Sequence, residues 1–479
     1  MSHPAALRLR RTTVVALALL TAGTTVGLSP ARAADTVAVR QHRAAVDFNG
    51  DGYEDVAVGA PSATVSDRAK AGYVAVLYGA PEGLGAGKKV FHQASPGVPG
   101  TPETDDGFGE SLTADDLDGD GYTDLVVESR RETWGADGIV RTGSNTVLWG
   151  GPNGFASGTV LRLLGTSAYQ GGRTVSGDFD GDGHRDLLQQ DRVAYGPFGR
   201  DGVPARTART ALVEGDMNLD DVVAGDTDGD GITDLVTLAR SFDWDDDHNY
   251  GYQLNHLRGS RAGLAEPRIL RDAQGRPVPV GDVSLAVGDV TGDGRADIVT
   301  GGDTLGVLPG TADGPAVAVP RVISQDSPGV PGVQEAGDGF GRSLAIGDVD
   351  GDGYGDVLAG IPFEDFAGLE NAGTFAVVPG GPQGPTGAGT VVLSQHTTQV
   401  PGTAESADMF AENAALVDSD ADGRAEPVVA AVGEDQRAGA VWVFRTSSAG
   451  VQTGGSFSFG ARTLGQVKTG GWLGRSLSS

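Results

Sequence analysis

At 479 residues with a net charge of −29, 78 glycines and no cysteine, the chain is long, acidic and without disulfide staples. Such acidity excludes a nucleic-acid binder, which needs a basic face to displace counterions. Abundant glycine among short Val/Leu/Ala runs, without a heptad, excludes a helical bundle and points to many short strands joined by tight turns.

The chain opens on an export signal over 1–33. Arg8, Arg10 and Arg11 form its basic head, 14–28 is mostly apolar, and Ala31, Arg32 and Ala33 give a small-x-small cleavage pattern before Ala34. Arg10 and Arg11 suit twin-arginine export, but Thr12 and Thr13 follow where that signal turns apolar, so the general route is preferred. There is no lipobox cysteine and no later apolar run long enough for a bilayer. The mature chain is therefore expected to be secreted and extracellular, with no transmembrane segment. Losing the signal's four arginines takes the charge from −29 to about −33 and leaves 446 residues, too many for one compact core. An exported chain without cysteine needs another staple, and its clustered acids make metal the candidate.

Seven segments share the frame D-x-[D/N/T]-x-D-G-x-x-[D/E], each followed by an apolar run. The first, DFNGDGYED, offers Asp47, Asn49, Asp51, the Tyr53 carbonyl and Asp55 as ligands, and the second, DLDGDGYTD, offers Asp116, Asp118, Asp120, Tyr122 and Asp124. The third supplies Asp178, Asp180, Asp182, His184 (through its carbonyl) and Asp186, and the fourth Asp226, Asp228, Asp230, Ile232 and Asp234. In the fifth stand Asp289, Thr291, Asp293, Arg295 and Asp297, and in the sixth Asp348, Asp350, Asp352, Tyr354 and Asp356. The seventh carries Asp418, Asp420, Asp422, Arg424 and Glu426. Successive starts lie 69, 62, 48, 63, 59 and 70 residues apart, the mark of a repeat array.

Acids at positions 1, 3 and 5 put three carboxylates inside a tight turn. Glycine at 6 lets the chain reverse, the carbonyl at 7 adds an oxygen, and the acid at 9 completes the shell. Hard oxygen ligands in a flexible turn suit Ca2+ better than magnesium or zinc. Position 12 is Val58, Val127, Gln189, Thr237, Thr300, Ala359 or Val429, never an acid, so no EF-hand helix should follow. Asn49 and Thr291 each remove one charge and weaken the first and fifth sites; Ala421 for glycine and Glu426 for aspartate make the seventh geometry the least regular. Dissociation constants of about 10⁻⁴ to 10⁻³ M are expected for extracellular modules.

Each unit reads as four strands. In the sixth they fall at 343–347, 357–359, 374–378 and 391–394. Four antiparallel strands per unit make a propeller blade, whereas stacked calcium turns of a solenoid repeat about every nine residues. The fold class is therefore all-β, a seven-bladed β-propeller. The last residues, Trp472, Leu473, Gly474, Arg475, Ser476 and Leu477, match 339–344 before the sixth loop, yet no metal loop follows them. They are expected to pair into the blade begun at the N-terminus, removing open sheet edges.

Phe108-Gly109 and Phe340-Gly341 precede metal loops, Gly59-Ala60-Pro61 and Gly360-Ile361-Pro362 follow them, and 95–100 (SPGVPG) recurs at 327–332. By these motifs the chain resembles the FG-GAP repeats of integrin α-subunit propellers and their bacterial relatives. The likeness is fainter in the seventh unit, where Phe410-Ala411 stands for Phe-Gly, and units 3 to 5 keep only the metal loop. It implies that the loops join strands and staple one rim of the ring.

The opposite face is uneven. Its strand 2–3 connections are long at 59–72, 128–145, 240–255 and 360–373. Arg130, Arg131 and Trp134 mark the second, and Phe242, Trp244 and Tyr250 among Asp243, Asp245, Asp246 and Asp247 mark the fourth; such groups suit an extracellular glycan or protein ligand. Alternatively the rings pack between blades. Catalysis has one weak candidate, His248 or His256 with Asp245 or Asp247, and no nucleophile elbow, Walker loop or zinc motif accompanies it. The expected function is a monomeric, non-enzymatic adhesion or recognition module; the alternative is a secreted polysaccharide hydrolase or lyase.

Overall fold

The computed structural model describes residues 46–478 except 86, 135–140, 162, 164–171, 216, 244–247, 279, 281–283, 318–319 and 467–469. The export signal expected over 1–33 lies outside the described residues.

Alternating apolar runs and Asp-Gly turns fold into seven four-stranded antiparallel sheets. Six use strands consecutive in sequence. Blade 2, for example, runs Phe108–Asp115, Asp124–Trp134, Arg141–Trp149 and Ser157–Leu161. Blade 6 runs Leu344–Gly347, Asp356–Ile361, Thr374–Val378 and Val391–Leu393, within about two residues of the expected strands. Blade 1 is the exception. Its Val56–Ala60, Tyr73–Tyr78 and Gly87–Phe91 are completed on the inside by Ser476–Leu477, with Val58 opposite Leu477 and Gly59 opposite Ser476. The ring closes as the sequence match requires.

Strands send side chains to both faces, and here both faces are covered, so the second strands read as continuous apolar runs such as the fully buried Val56–Ala60. The core is accordingly a circle of seven interblade clusters. Phe48, Val74 and Val76 of blade 1 meet Phe108, Leu125 and Val127 of blade 2. At the last joint Val56 and Tyr73 meet Val428, Val441 and Leu473. Innermost strands are less buried than the second strands, and they line an axial channel of ≈ 620 Å³.

Two expected loops are largely strand. Within 128–145 pairing continues to Trp134 opposite Arg141, and within 240–255 to Asp243 opposite His248. Blades 2 and 4 thus carry extended hairpins, whereas 61–72 and 362–373 in blades 1 and 6 are true loops. No helix among the described residues is long and apolar enough to cross a membrane.

Candidate metal centre

Six of the Asp-rich loops join the first and second strands of a blade, and the Asp47 loop leads into the second strand of blade 1, whose innermost strand is the C-terminal Ser476–Leu477, so all seven share one rim. A strand, not a helix, follows each. In blade 6, Asp348 Oδ1 accepts the N–H groups of Gly351 (2.7 Å) and Asp352 (3.2 Å), and its Oδ2 accepts that of Gly353 (2.8 Å). Asp352 Oδ1 then accepts Tyr354 N–H at 3.0 Å. The glycine at position 6 must be left-handed for this, with φ between +84° and +96° in all seven loops. Ala421, at position 4 of the seventh loop, takes the left-handed conformation of its glycine counterparts at φ +58°. That loop therefore keeps the backbone turn of the others, and its irregularity is confined to the ninth residue.

The acid at position 9 is the buried anchor. Asp356 Oδ2 accepts Val349 N–H (2.9 Å) while Oδ1 accepts Gly380 N–H (2.9 Å) from the strand 3–4 turn. The same bridge is made by Asp55, Asp124, Asp186, Asp234 and Asp297. In blade 7 the longer Glu426 reaches Ser419 N–H and, in place of a backbone amide, the Thr446 hydroxyl. Burial pushes Asp55 up to about 8, Asp124, Asp186 and Glu426 to about 7, and Asp356 to about 6, with the acids of the same loop adding to the rise. A positive charge placed among these carboxyls would favour their ionised form.

Oxygen atoms of positions 1, 3 and 9 converge within 4.8 Å in blades 2, 3, 6 and 7. In blade 4 the converging acids are instead Asp226, Asp228 and Asp230. Acid triads are absent among the described residues of loops 1 and 5, where Asn49 and Thr291 stand. An all-oxygen donor set crowded with buried carboxylates fits a hard cation.

Neighbouring loops are tied to each other. The position 8 N–H donates to the position 1 carbonyl of the preceding loop from Thr123 to Asp47, Thr233 to Asp178, Ala296 to Asp226, Gly355 to Asp289 and Ala425 to Asp348. Glu54 ties the first loop to the seventh, its N–H on the Asp418 carbonyl at 3.4 Å and its Oε2 accepting Asp418 N–H at 2.8 Å, and between blades 3 and 2 Arg185 pairs with Asp115 at 3.1 Å.

A family model described as FG-GAP repeat matches residues 44–77, 108–145 and 340–394. The chain is a seven-bladed β-propeller with FG-GAP repeats at these three segments. It is 29% identical over 165 residues to phosphatidylinositol-glycan-specific phospholipase D of Rattus norvegicus, a stretch covering 34% of this chain and 19% of that protein. The chain thus matches only about a fifth of that relative's length. Among solved structures, Bacillus licheniformis rhamnogalacturonan lyase PL11 overlaps at 15% identity and a TM-score of 0.31, covering 79% of this chain and 65% of that one. The V. cholerae biofilm matrix protein Bap1 overlaps at 16% identity and a TM-score of 0.30, covering 60% and 40%. Overlaps this loose carry no functional argument.

The two signatures of the FG-GAP repeat are one contact seen from two sides. A Cβ on Gly59 would stand 2.2 Å from the Gly109 carbonyl oxygen, and one on Gly360 2.1 Å from that of Ala411. The "GAP" glycine of one blade thus lets the "FG" carbonyl of the next approach. A serine at the start of the innermost strand or just before it donates to that carbonyl, Ser476 to Gly109 and Ser343 to Ala411, both at 2.8 Å. Gly301 plays this part in blade 5, with the Gly341 carbonyl 2.0 Å from its notional Cβ, although that unit lacks the full signature.

Sequence reasoning missed the basic partners of the loops. Arg200, from the strand 3–4 turn of blade 3, binds Asp118 (2.6 Å) and Asp120 (2.5 Å) in blade 2. Arg206 binds Asp180 (2.5 Å), and Arg258 binds Asp228 (2.6 Å) and Asp230 (3.1 Å). His256 is buried against Asp234, its Nε2 3.2 Å from Oδ2 and 3.1 Å from the Thr227 hydroxyl. Burial raises Asp234, but the His256 and Thr227 hydrogen bonds outweigh it and hold this carboxyl below its ordinary value. Of the conceived acid–base pair, only His256 can be placed; the His248 side chain lies outside the described residues. His256 sits at the metal rim, eight residues or about 27 Å along the strand from His248, and Asp245 and Asp247 lie outside the described residues. So do Trp244 and the side chains of Trp134, Phe242 and Tyr250; Arg130 and Arg131 are exposed.

Proposed function

We propose that this FG-GAP propeller is a secreted, calcium-stapled recognition module that binds an extracellular glycan or protein as a monomer. Calcium is held on one rim by the Asp47, Asp116, Asp178, Asp226, Asp289, Asp348 and Asp418 loops. The supporting observation is the division of labour between the faces. The metal rim is engaged in holding blades together through chained loops and internal arginines, while the opposite face carries the paired hairpins of blades 2 and 4. Bound calcium would neutralise the crowded carboxylates and fix the strand 1–2 turns; the chain's own residues then set the height of the hairpins above the ring.

The test is a glycan array and a pull-down from envelope material, both in calcium, with wild type and a chain whose 130–142 hairpin is cut to a two-residue turn. Binding that disappears on shortening while the melting temperature holds supports the reading. Silence of the wild type in both assays would sink it.

A further inference from the structure

On the rim opposite the Asp loops, a second acidic set recurs three times at fixed spacing. Its members are Gln93, Glu103, Asp106 and Glu132; Gln325, Glu335, Asp338 and Glu364; and Gln395, Glu405, Asp408 and Glu434. Each glutamine lies on the connector entering blade 2, 6 or 7, and each final glutamate within three residues of the end of that blade's second strand. The glutamine Nε2 donates to that glutamate, Gln93 to Glu132, Gln325 to Glu364 (2.7 Å) and Gln395 to Glu434 (2.9 Å). The aspartate, buried at 1%, 7% and 2% exposure, accepts the N–H of the glutamate three residues before it.

Two features of these sets are unusual. First, no ion pair among the described residues involves any of the nine carboxylates. The Asp and first Glu of a set instead repel its last Glu, adding to the burial that pushes Glu132 and Glu434 up to about 7. Second, the three glutamines are 6%, 3% and 3% exposed, and the Oε1 of each has no hydrogen-bond partner. That oxygen shares its amide carbon with the nitrogen that grips the glutamate, so it stands close beside that carboxylate. A buried carbonyl without a donor, beside uncompensated carboxylates, calls for a cation. Blade 1 loses the acids together: Ala63 and Gly471 take the places of the last glutamate and the aspartate, and the two pack on each other. Side chains serving only as separate hydrogen-bond caps have no reason to vanish as a set.

We propose that these are three additional calcium sites, each built from the glutamine Oε1 and the carboxylates of its set, on the face opposite the Asp loops. All ligands are hard oxygens, as calcium prefers. The acids of a set do not form a close triad like those of the Asp loops, so the amide oxygen supplies the missing ligand. The proposal stands independently of the recognition role.

The test is calcium stoichiometry by equilibrium dialysis on the full chain, wild type against the triple variant Glu132→Gln, Glu364→Gln, Glu434→Gln. A loss of three bound ions is expected; an unchanged stoichiometry, the result for sets that hold only water, overturns the proposal. Should the triple variant misfold, terbium luminescence sensitised by tryptophan reads one site alone. The Trp442 ring lies 3.3 Å, and Gln395 Nε2 3.7 Å, from the notional Cβ of Gly402. Glu434→Gln should remove one luminescent component that Asp348→Asn leaves intact. Equal spectra for wild type and Glu434→Gln would overturn the site.

Discussion

Blades 6 and 4 carry metal loops of the same written form, yet they are wired differently. In blade 6, Asp348, Asp350 and Asp356 converge, and no basic side chain among the described residues pairs with them. In blade 4 the ninth residue, Asp234, is taken by His256 and Thr227, while Arg258 spans Asp228 and Asp230. The blades also stack differently. Gly360 lets a neighbouring carbonyl come close, whereas Leu238, in register with it, is a wholly buried side chain. The same nine-residue motif can therefore be an open demand for a cation or one already met in part from within. On the calcium reading proposed above, charge compensation, not the motif, sets how strongly a blade depends on the ion.

The largest expected effect is chelation. At tenfold excess over its dissociation constant, each site that binds only the folded ring adds about 1.4 kcal/mol, and several such sites act on one chained rim. Calorimetry with and without EGTA should show a strong fall in melting temperature, and an unmoved curve would falsify the metal reading. The chelator-induced fall should shrink more in Asp348→Asn than in Asp226→Asn. Equal shrinkage would erase the distinction between the two loops.

Stacking comes next. Leu238→Ala empties a packed interblade position and should cost about 2–5 kcal/mol, read from the denaturant midpoint. Gly360→Ala forces a Cβ onto the Ala411 carbonyl and should cost about 1–3 kcal/mol by overpacking. If the glycine variant were as stable as wild type, the backbone-on-backbone joint would not be what the signature encodes.

The chain's own spelling revealed the blades but only half of the loop chemistry, for physical reasons. Period, Asp-Gly turns and the match of 472–477 to 339–344 are local patterns, and they were sufficient for seven sheets and the closing strand. Arg200 lies 82 residues from Asp118, a pairing that only the curvature of the ring creates. The 128–145 and 240–255 segments read as loops because strands polar on both faces lack the alternation that betrays a half-buried strand. Blade 5 hid its Gly301 contact because one glycine without its Ala-Pro partners is indistinguishable from a turn.

A smaller gain tests the blade 6 joint from its other side. Ala411 occupies the "FG" glycine position with φ +66°, a conformation costing a residue with a Cβ about 1–2 kcal/mol. Ala411→Gly should relieve that strain, offset by greater freedom of the unfolded chain, and raise stability by about 1 kcal/mol. A lower melting point would mean that the Ala411 methyl packs usefully in the blade 6–7 cluster.

The smallest effect reaches the heart of the comparison. Arg258 is half exposed, so its pairs with Asp228 and Asp230 are worth no more than about 1 kcal/mol after solvent screening. In Arg258→Gln those carboxylates lose their internal counter-charge. If the guanidinium competes with calcium for the same oxygens, the blade 4 site should bind up to about fivefold more tightly, resolved by calorimetric titration. The chelator-induced fall in melting temperature should then grow toward the blade 6 pattern. Weaker binding would reverse the interpretation. Arg258 would then be an outer support that aims Asp228 and Asp230 at the ion, and compensation from within would strengthen calcium dependence instead of relaxing it.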